Sequence, residues 1–206
     1  MTPLSLVRPS IDRGERLDDD DNDAKQPDTP PFGDNRVAAA KSGDPAAWEA
    51  AYRAYGKALM GYLMVRLDNQ DDAAEALSET FTRAISKASA LRGDAYAFRA
   101  WLFTIARHVS ADQYRGRARV SVVSAQEDGE DRSQPSSEDL TIFHEDVAEL
   151  RRCFSRLPHA DREVLWLRVC SGLSAAEVGE VVGKRPGAVR MQQMRALDEL
   201  RSQVST

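Results

Sequence analysis

Apolar and polar residues follow a helical period in the two most regular stretches of the chain. Between residues 44 and 119, apolar side chains recur at steps of three and four, and no segment alternates as a half-buried strand would. We therefore expect three long helices here. Their predicted core faces are Trp48, Tyr52, Tyr55, Leu59, Tyr62 and Leu63, then Leu77, Phe81, Ala84, Ile85 and Ala88, then Phe98, Trp101, Leu102, Ile105 and Val109.

Residues 173–201 show a second pattern, which predicts a short helix, a tight turn and a longer helix. Ser174 and Glu177 have the spacing of a capping box, in which each side chain accepts a hydrogen bond from the other residue's backbone N–H. Val178, Val181 and Val182 follow as an apolar stripe at helical spacing. The first of these helices should therefore begin after Ser174.

Glycine and proline mark the turn between these two helices. Gly183 can adopt the left-handed conformation that ends a helix, and Pro186 suits the first turn of the next one. Gly179 leaves room for close contact, and Val189 should point back toward the first helix, followed inward by Ala196, Leu197 and Leu200. The spacing is typical of a helix-turn-helix unit.

The outer face of the second helix is basic and contains two methionines. Its residues, with those at its start, are Lys184, Arg185, Arg190, Met191, Met194 and Arg195. An α-helix fits the major groove of DNA, where arginine can bind guanine bidentately and lysine can bind phosphate. The alternative is a helical hairpin whose basic face is only solvated.

Charge is unevenly distributed along the 206 residues, whose net charge is −5. Basic and acidic residues number 5 and 9 in residues 1–36, 12 and 9 in 37–119, 1 and 9 in 120–150, and 10 and 6 in 151–206. Two mildly basic blocks thus alternate with two acidic ones. The acidic total does not exclude nucleic-acid binding, because binding depends on local patches.

The acidic blocks are predicted to lie outside the folded domains. Residues 1–40 are rich in Asp and Pro and poor in aromatic residues, so they should form a disordered extension that cannot offset its chain entropy by burial. Residues 120–140 are expected to be an acidic linker, although a plain solvated linker explains this composition as well. Folded domains are then predicted at residues 44–119 and 141–206.

Targeting and metal signals are absent from the sequence. There is no basic start followed by an apolar run, and no stretch is long enough to span a membrane, so we expect a cytoplasmic protein without membrane insertion. Cys153 and Cys170 are isolated thiols, as is usual in a reducing compartment. Cys153, His144 and His159 lack the spacing of a zinc site, and we expect neither a metal nor a cofactor.

Acidic side chains line the outer face of the predicted second helix. Asp71, Asp72, Glu75 and Glu79 resemble a divalent-metal carboxylate array, but no facing helix supplies partner ligands. Acidic residues near a helix N-terminus are also favoured by the helix dipole. A solvated acidic face is therefore the simpler interpretation.

The predicted third helix carries aromatic and basic residues outside its core face. They are Tyr96, Arg99, Phe103, Arg107, His108, Tyr114 and Arg115. Aromatic rings can stack on single-stranded bases while arginines bind the backbone. Exposed aromatic residues next to arginine are as common in packing or protein interfaces as in nucleic-acid contacts, so this pattern alone leaves both interpretations open.

Together these segments resemble the sigma factors of bacterial RNA polymerase, in particular the small extracytoplasmic-function (ECF) type of the sigma-70 family. Region 2 of that family is similar to DDAAEALSETFTRAI at 71–85, LRGD at 91–94 and FRAWLFTIAR at 98–107. Region 4 is similar to LP at 157–158, REVL at 162–165, LSAAEVG at 173–179 and PGAVR at 186–190. The resemblance implies an all-α protein with a region 2 helical bundle and a region 4 helix-turn-helix, joined by a flexible acidic linker.

The resemblance also implies a function and the residues that perform it. The chain would be no enzyme; it would bind core RNA polymerase, recognise the −35 and −10 promoter elements and promote DNA opening. Binding to the clamp helices of the largest subunit is implied for Asp72, Glu75, Ser78 and Glu79. Recognition of −10, with a flipped base held near residues 90–97, is implied for Arg92, Tyr96, Arg99, Phe103, Arg107, His108 and Arg115. Recognition of −35 is implied for Lys184, Arg185, Arg190, Met191, Met194 and Arg195.

Further partners follow from the same resemblance. They are the polymerase flap, promoter DNA and an anti-sigma factor, with the free factor a monomer in the cytoplasm, associated with the nucleoid through polymerase. The linker would run toward the RNA exit channel. Two other hypotheses remain: a polymerase-independent helix-turn-helix regulator, which would bind a symmetric site as a dimer, and a metal enzyme, which lacks a nucleophile and a ligand pair.

The sequence departs from the family pattern at a few positions. Ser78 stands where glutamine is usual, His108 where asparagine is frequent, and the segment between Asp94 and Phe98 is one residue longer. Gln192 and Gln193 replace a basic and an aliphatic residue, and Gln193 is expected nearer the inward face, where an amide needs a partner. Removing residues 1–40 is predicted to change activity or turnover more than fold.

Overall fold

The computed structural model describes residues 30–67, 69–121 and 144–204, and within these ranges it contains helices and no strand. The first domain consists of α1 (Asp34–Lys41), α2 (Pro45–Leu67), α3 (Gln70–Lys87), a 3₁₀ turn (Ala88–Ala90) and α4 (Ala95–Ser121). The second consists of α5 (His144–Arg156), α6 (His159–Leu165), a π-helical turn (Trp166–Cys170), α7 (Ala175–Val182) and α8 (Pro186–Val204). The all-α prediction is confirmed for the described residues.

Helix α1 lies within the segment predicted to be disordered. Phe32, just before it, is fully buried, and its ring stacks on Phe98 with 5.0 Å between centroids. Asp34 accepts a hydrogen bond from the backbone N–H of Ala95 at 2.8 Å, which ties α1 to the start of α4. The prediction of disorder is therefore wrong for residues 30–40, because Phe32, Val37 and Ala40 are buried in the core and offset the polar composition around them. Residues 1–29 and 122–143, which include most of the predicted linker, lie outside the described residues.

The core of the first domain follows the predicted helical faces with a few exceptions. Among the predicted core residues, Tyr52 and Ile85 are 52% and 51% exposed, and Trp101 is only half-buried. Phe103, expected on the outer face of α4, is fully buried and meets Tyr62 of α2 edge-on at 5.6 Å. Helix α4 therefore presents a wider apolar surface than its own periodicity indicates, because it is covered on more than one side.

The helix-turn-helix predicted from local signals is present. Ser174 and Glu177 form the complete capping box at the start of α7, and Gly183 ends that helix with a φ of 73°. Gly179 lies so close to the turn that a Cβ there would come within 2.5 Å of the carbonyl oxygen of Lys184. Val189 is fully buried, so α8 packs on α7 along the predicted side.

The two domains pack directly against each other. Helix α4 contacts α7, and α2 contacts both α6 and the π-helical turn. One continuous cluster of buried apolar side chains includes Tyr62 and Phe103 from the first domain and Leu167 and Val178 from the second. A smaller cluster, made of Leu157, Leu165 and Ala196, lies inside the second domain. The arrangement in which the domains touch is called the closed arrangement below.

Candidate nucleic-acid interface

The basic face predicted to bind duplex DNA is exposed on α8 and on the turn before it. All of its predicted residues lie at the surface, and Met191 and Met194 are 54% and 51% exposed. The six residues are Lys184, Arg185, Arg190, Met191, Met194 and Arg195. An exposed helical face that combines arginine with flexible apolar side chains can enter a major groove and contact base edges.

Gln192 and Gln193 of α8 are placed differently from the prediction. Gln192, not Gln193, is the more buried, at 5% exposure. The Nε2 of Gln192 donates to the Ala160 carbonyl at 3.0 Å and to Asp161 Oδ1 at 2.7 Å, and its Oε1 accepts from Lys184. Gln193 is half-buried and accepts from Arg168 Nε at 2.7 Å. Both amides therefore have partners, and Gln192 connects α8, α6 and the turn lysine.

The acidic face predicted to bind polymerase lies on α3. Asn69 caps this helix by accepting from the backbone N–H groups of Asp71 and Asp72 at 2.8 and 3.2 Å. Glu75 and Ser78 are exposed, whereas Asp72 and Glu79 are half-buried. The four residues form one outer face and remain accessible while the domains are closed.

Glu79 also belongs to an ionic chain that joins α3 to α4. Its carboxylate accepts from Arg83 Nε at 2.6 Å, and Arg83 Nη1 donates to Asp112 Oδ2 at 2.8 Å. These hydrogen bonds raise the pKa of Arg83, and the bond from Arg83 is the main reason that the pKa of Asp112 falls below its ordinary value. The chain fixes Glu79 beside a groove lined by Glu75, Ser78 and Gln113.

In the closed arrangement, some of the residues predicted to bind the −10 strand are exposed and the others are buried or half-buried. Arg92, Tyr96, His108 and Arg115 are exposed. Although the His108 side chain is exposed at its edge, partial desolvation of the ring, and after it the charge of Arg107, lowers the pKa of His108 below its ordinary value. Phe103 is in the core, Arg99 is 4% exposed, and Arg107 is half-buried. The predicted residues therefore do not form one open surface here.

Arg99 is bound by an acidic residue of the other domain. Its Nε and Nη2 donate to the two carboxylate oxygens of Glu177 at 2.9 and 2.6 Å, and the two side chains are 4% and 8% exposed. The Oε2 of Glu177 also accepts from the backbone N–H of Ser174 at 2.8 Å, which completes the capping box. One carboxylate thus caps α7 and binds an arginine of α4.

A second buried carboxylate, Glu163 of α6, also binds side chains of the first domain. Its Oε1 accepts from Tyr62 Oη at 2.7 Å, from Arg66 Nη1 at 2.7 Å and from Arg107 Nε at 3.1 Å. Burial, followed by the negative charge of Glu163, raises the pKa of the Tyr62 hydroxyl well above its ordinary value. Beside this cluster, Trp166 Nε1 donates to the Ala58 carbonyl at 3.2 Å.

Sequence reasoning did not find these contacts between domains. Glu163 and Trp166 belong to a matched family string or lie next to it, yet nothing in their own neighbourhood indicates a partner about a hundred residues away. The local signal is that Arg99 and Arg107 lie on a helix that carries both aromatic and basic residues, which indicates that anions bind there. It did not show that the anions come from the same chain.

Within the described ranges, no group of three or more His, Cys, Asp or Glu side chains is arranged to hold a metal ion. In the same ranges, no helix is both long and apolar enough to cross a membrane. Cys153 is buried and Cys170 is exposed, and both are free thiols.

Comparisons with protein families match both folded domains. The model for sigma-70 region 2 matches residues 51–120, and the model for sigma-70 region 4 matches residues 148–200. These two matches follow each other in the same order as the two domains of the structure.

Individual proteins show the same likeness over most of the chain. The ECF RNA polymerase sigma factor BldN of Streptomyces coelicolor is 32% identical over 165 residues, which are 80% of this chain and 62% of BldN. SigD of Mycobacterium tuberculosis is 30% identical over 173 residues, 82% of each protein. ShbA of Streptomyces griseus is 38% identical over 109 residues, 57% of ShbA. The chain thus spans less than two thirds of BldN and of ShbA.

Solved structures share the fold at lower identity. The sigma factor RpoE in complex with the anti-sigma factor NepR from Bartonella quintana aligns with a TM-score of 0.64 at 21% identity, over 77% of this chain and 96% of that one. CnrH in complex with the cytosolic domain of CnrY aligns with a TM-score of 0.59 at 23% identity, over 83% and 96%.

Proposed function

This chain belongs to the ECF RNA polymerase sigma factors of the sigma-70 family, and we propose that it binds core polymerase, recognises −35 and −10 promoter elements and promotes DNA opening. The observation that carries this proposal is the presence of regions 2 and 4 in order in one chain, each folded as its own helical domain. The family is not enzymatic, so the polymerase performs the chemistry.

Polymerase binding is assigned to the acidic face of α3. Asp72, Glu75, Ser78 and Glu79 lie on its outer side, and Glu79 is held in place by Arg83. A fixed acidic helix face suits the clamp helices of the largest subunit if those present basic side chains, because complementary charge accelerates and orients association. Region 4 is proposed to contact the flap.

Recognition of the −35 element is assigned to the basic face of α8. Arg190 and Arg195 are candidates for contacts to base edges, and Lys184 for a phosphate near the helix start. Gln192 binds Lys184 and the N-terminal part of α6, so it helps to set where the lysine lies. The exposed Met191 and Met194 can pack against thymine methyl groups.

Recognition and opening of the −10 element are assigned to α4 and the loop before it. Arg92, Tyr96, His108 and Arg115 are exposed there, and Arg99 and Arg107 become available when the domains separate. Phe103 is fully buried beneath this surface, so we propose that it supports the helix and does not stack on a base. Arginine and tyrosine can together hold a backbone and a flipped base.

Location and partners are proposed from family membership. A factor that works with RNA polymerase acts in the cytoplasm, at the nucleoid, and needs no cofactor. The related RpoE and CnrH were solved in complex with NepR and with the cytosolic domain of CnrY. We propose that an anti-sigma factor likewise binds this chain and that the free factor is a monomer.

Run-off transcription with purified core polymerase tests this function. Core with the chain should give transcripts from a subset of genomic fragments on which core alone is silent. Arg190→Ala should lower the yield about tenfold, since a bidentate base contact is worth about 1–3 kcal/mol. Arg201→Ala removes the same charge from the same helix outside the proposed face and should change little. No transcript from any fragment would contradict the proposal.

Polymerase binding is tested separately by titration of labelled core. Glu75→Arg reverses one charge on the acidic face of α3 and should weaken binding by an order of magnitude or more. Glu49→Arg makes the same change on α2, where Glu49 pairs with Arg53 one turn away. Equal affinities for the two variants would exclude the acidic face as the polymerase contact.

A further inference from the structure

The turn before α8 holds Lys184 by its backbone and by the tip of its side chain. The backbone N–H donates to the Gly179 carbonyl at 2.9 Å, and the ammonium group donates to Oε1 of Gln192 in the second turn of α8. Lysine normally carries its charge on a flexible stem of four carbons. Here both ends of that stem are fixed, so the charge has a defined position before any DNA arrives.

The amide of Gln192 has one orientation that satisfies all of its neighbours. Nε2 donates to Asp161 Oδ1 at 2.7 Å and to the Ala160 carbonyl at 3.0 Å, both in the first turn of α6. A rotated amide would place its oxygen against these two acceptors and its N–H groups against the ammonium group of Lys184. Gln192 is only 5% exposed, so water does not readily replace the bonds that rotation would break.

We propose that Gln192 is a positioning residue for −35 recognition, which holds the ammonium group of Lys184 in place to bind a backbone phosphate of the duplex. The proposal rests on the proposed function and deepens it, because it assigns a role in DNA binding to a buried side chain that contacts the lysine and not the DNA. Asp161, Gln192 and Lys184 are called the amide bridge below. The bridge connects α6 to the DNA-binding turn.

The amide bridge orients the lysine without neutralising it. An amide oxygen carries no net charge and accepts one of the three ammonium hydrogens, so two hydrogens and the full positive charge remain for a phosphate. A carboxylate at position 192 would form an ion pair with Lys184 and compete with the phosphate. A basic side chain, which the family pattern has at this position, would repel the lysine. Glutamine therefore combines orientation with an intact charge.

Lys184 stays accessible although its tip is bound. Its side chain is exposed, as are those of Arg185 and Arg190 on the same DNA-binding face. Association is weakened by the entropy that a long side chain loses when it becomes ordered at the interface. Because Gln192 has already ordered Lys184 in the free chain, less of that entropy is lost when a phosphate binds.

The neighbouring Gln193 provides a matched comparison on the same helix. Its Oε1 accepts from Arg168 Nε at 2.7 Å, and Nη1 of that arginine donates to the Leu173 carbonyl at 2.6 Å. Gln193 thus connects α8 to the segment before α7 through a buried arginine, whereas Gln192 binds an exposed lysine. Loss of either amide should weaken the packing of α8, but only loss of Gln192 releases Lys184.

A double-mutant cycle on the full chain tests the coupling between Gln192 and Lys184. The probe is a random-sequence duplex oligodeoxynucleotide, because phosphate contacts do not depend on base sequence. In fluorescence anisotropy at about 50 mM salt, Gln192→Leu should weaken binding about three- to tenfold, as expected when one long side chain must be ordered on binding. That loss should disappear in the Lys184→Met background. Any loss caused by Gln193→Leu should be equal in both backgrounds.

A second experiment moves one negative charge along the amide bridge. Gln192→Glu combined with Asp161→Asn leaves the net charge unchanged but places a carboxylate beside Lys184. The plot of log binding constant against log salt concentration should become shallower by about 0.9, as with Lys184→Met, because one phosphate contact is lost. Asp161→Asn alone keeps an acceptor for Gln192 and should retain the wild-type slope. A variant that is merely less stable has fewer active molecules but the same slope.

The proposal is overturned if Gln192→Leu weakens binding equally with and without Lys184, or if Lys184→Met leaves the salt slope unchanged. A wild-type slope for the combined Gln192→Glu and Asp161→Asn substitutions would also overturn it. Run-off transcription separates these failures from failure of the proposed function. If the wild type transcribes and the cycle shows no coupling, only the role of Gln192 is wrong; if the wild type never transcribes, the proposed function is wrong whatever the duplex measurements give.

Discussion

Single carboxylates connect distant parts of this molecule. A single oxygen of Glu163, Oε1, accepts hydrogen bonds from Tyr62, Arg66 and Arg107. Glu177 caps its own helix and also binds Arg99. Charge-assisted hydrogen bonds in a poorly solvated site are stronger than those at the surface. At the scale of residues, two acidic side chains therefore fix how the second domain fits against the first.

His108 lies beside this network and gives a pH-dependent prediction. Partial desolvation and then the charge of Arg107 lower its pKa in the folded chain. As the pH falls below about 6.5, the imidazole is therefore protonated in the unfolded chain before it is protonated in the folded chain. Its contribution to the free energy of unfolding is present above that pH and is lost as the pH falls through the lowered pKa. Urea unfolding at pH values from about 8 to 5 should show a steeper loss in the wild type than in His108→Gln.

The proton resonances of His108 provide an independent check. A histidine titration followed by NMR should give a midpoint below the ordinary value, and Arg107→Gln should raise it only in part, because burial is the larger cause. A midpoint at the ordinary value, or equal pH slopes for the wild type and His108→Gln, would contradict the prediction.

At the scale of elements, short helices depend on their ends. Helix α7 is only 8 residues long, begins at a complete capping box and ends at Gly183. A helix of this length has little stability of its own. Its position between α4 and α8 therefore depends on the cap and on tertiary packing.

Removal of the cap should destabilise the second domain without touching the DNA-binding side chains. Ser174→Ala deletes the acceptor of the Glu177 N–H, bound at 3.2 Å, and should cost about 1 kcal/mol in urea unfolding. Affinity for duplex DNA should fall in parallel if α7 positions α8. Ser155→Ala is the control, since that exposed hydroxyl donates to the Arg152 carbonyl within α5; an equal effect in both variants would exclude a role for the cap.

At the scale of the whole molecule, the N-terminal segment is part of the first domain. Phe32, Val37 and Ala40 are buried, and the Ala40 carbonyl accepts a hydrogen bond from Trp48 Nε1 at 3.1 Å. Asp34 meanwhile accepts from the N–H of Ala95 at the start of α4, beside the proposed −10 loop. Helix α1 thus supports the surface that the −10 strand would use.

Two truncations distinguish the packed part of the N-terminus from the part before it. Removing residues 1–29 should leave the unfolding midpoint unchanged, whereas removing residues 1–42 should lower the unfolding free energy by several kcal/mol, as loss of a buried phenylalanine alone costs about 3–5. Phe32→Ala in the full chain should reproduce most of the larger effect. Equal midpoints for the two truncations would show that α1 adds no stability.

Contacts between residues that are close in sequence could be predicted, whereas contacts between residues far apart in sequence could not. The Ser174 cap, the Gly183 turn and the inward Val189 follow from signals within a few residues, and the structure has all of them. Phe103 lies in the core, against the prediction, because residues of other helices such as Tyr62 cover it. The Arg99 and Glu177 pair spans 78 positions, and local periodicity carries no information at that range.

The family resemblance supplied what periodicity could not, but only for what relatives share. It gave regions 2 and 4, which the comparisons confirm. It did not give the anchor at Phe32, which lies before the matched residues, or the partners of Gln192, which are contacts of a single side chain. The roles of individual polymerase and DNA contact residues remain predictions for the experiments above.

Because Glu177 and Arg99 belong to one polypeptide, their encounter does not depend on how many copies of the factor a cell contains. Two tethered groups meet at a local concentration that dilution leaves unchanged, so this contact between the domains forms as readily in dilute as in concentrated solution.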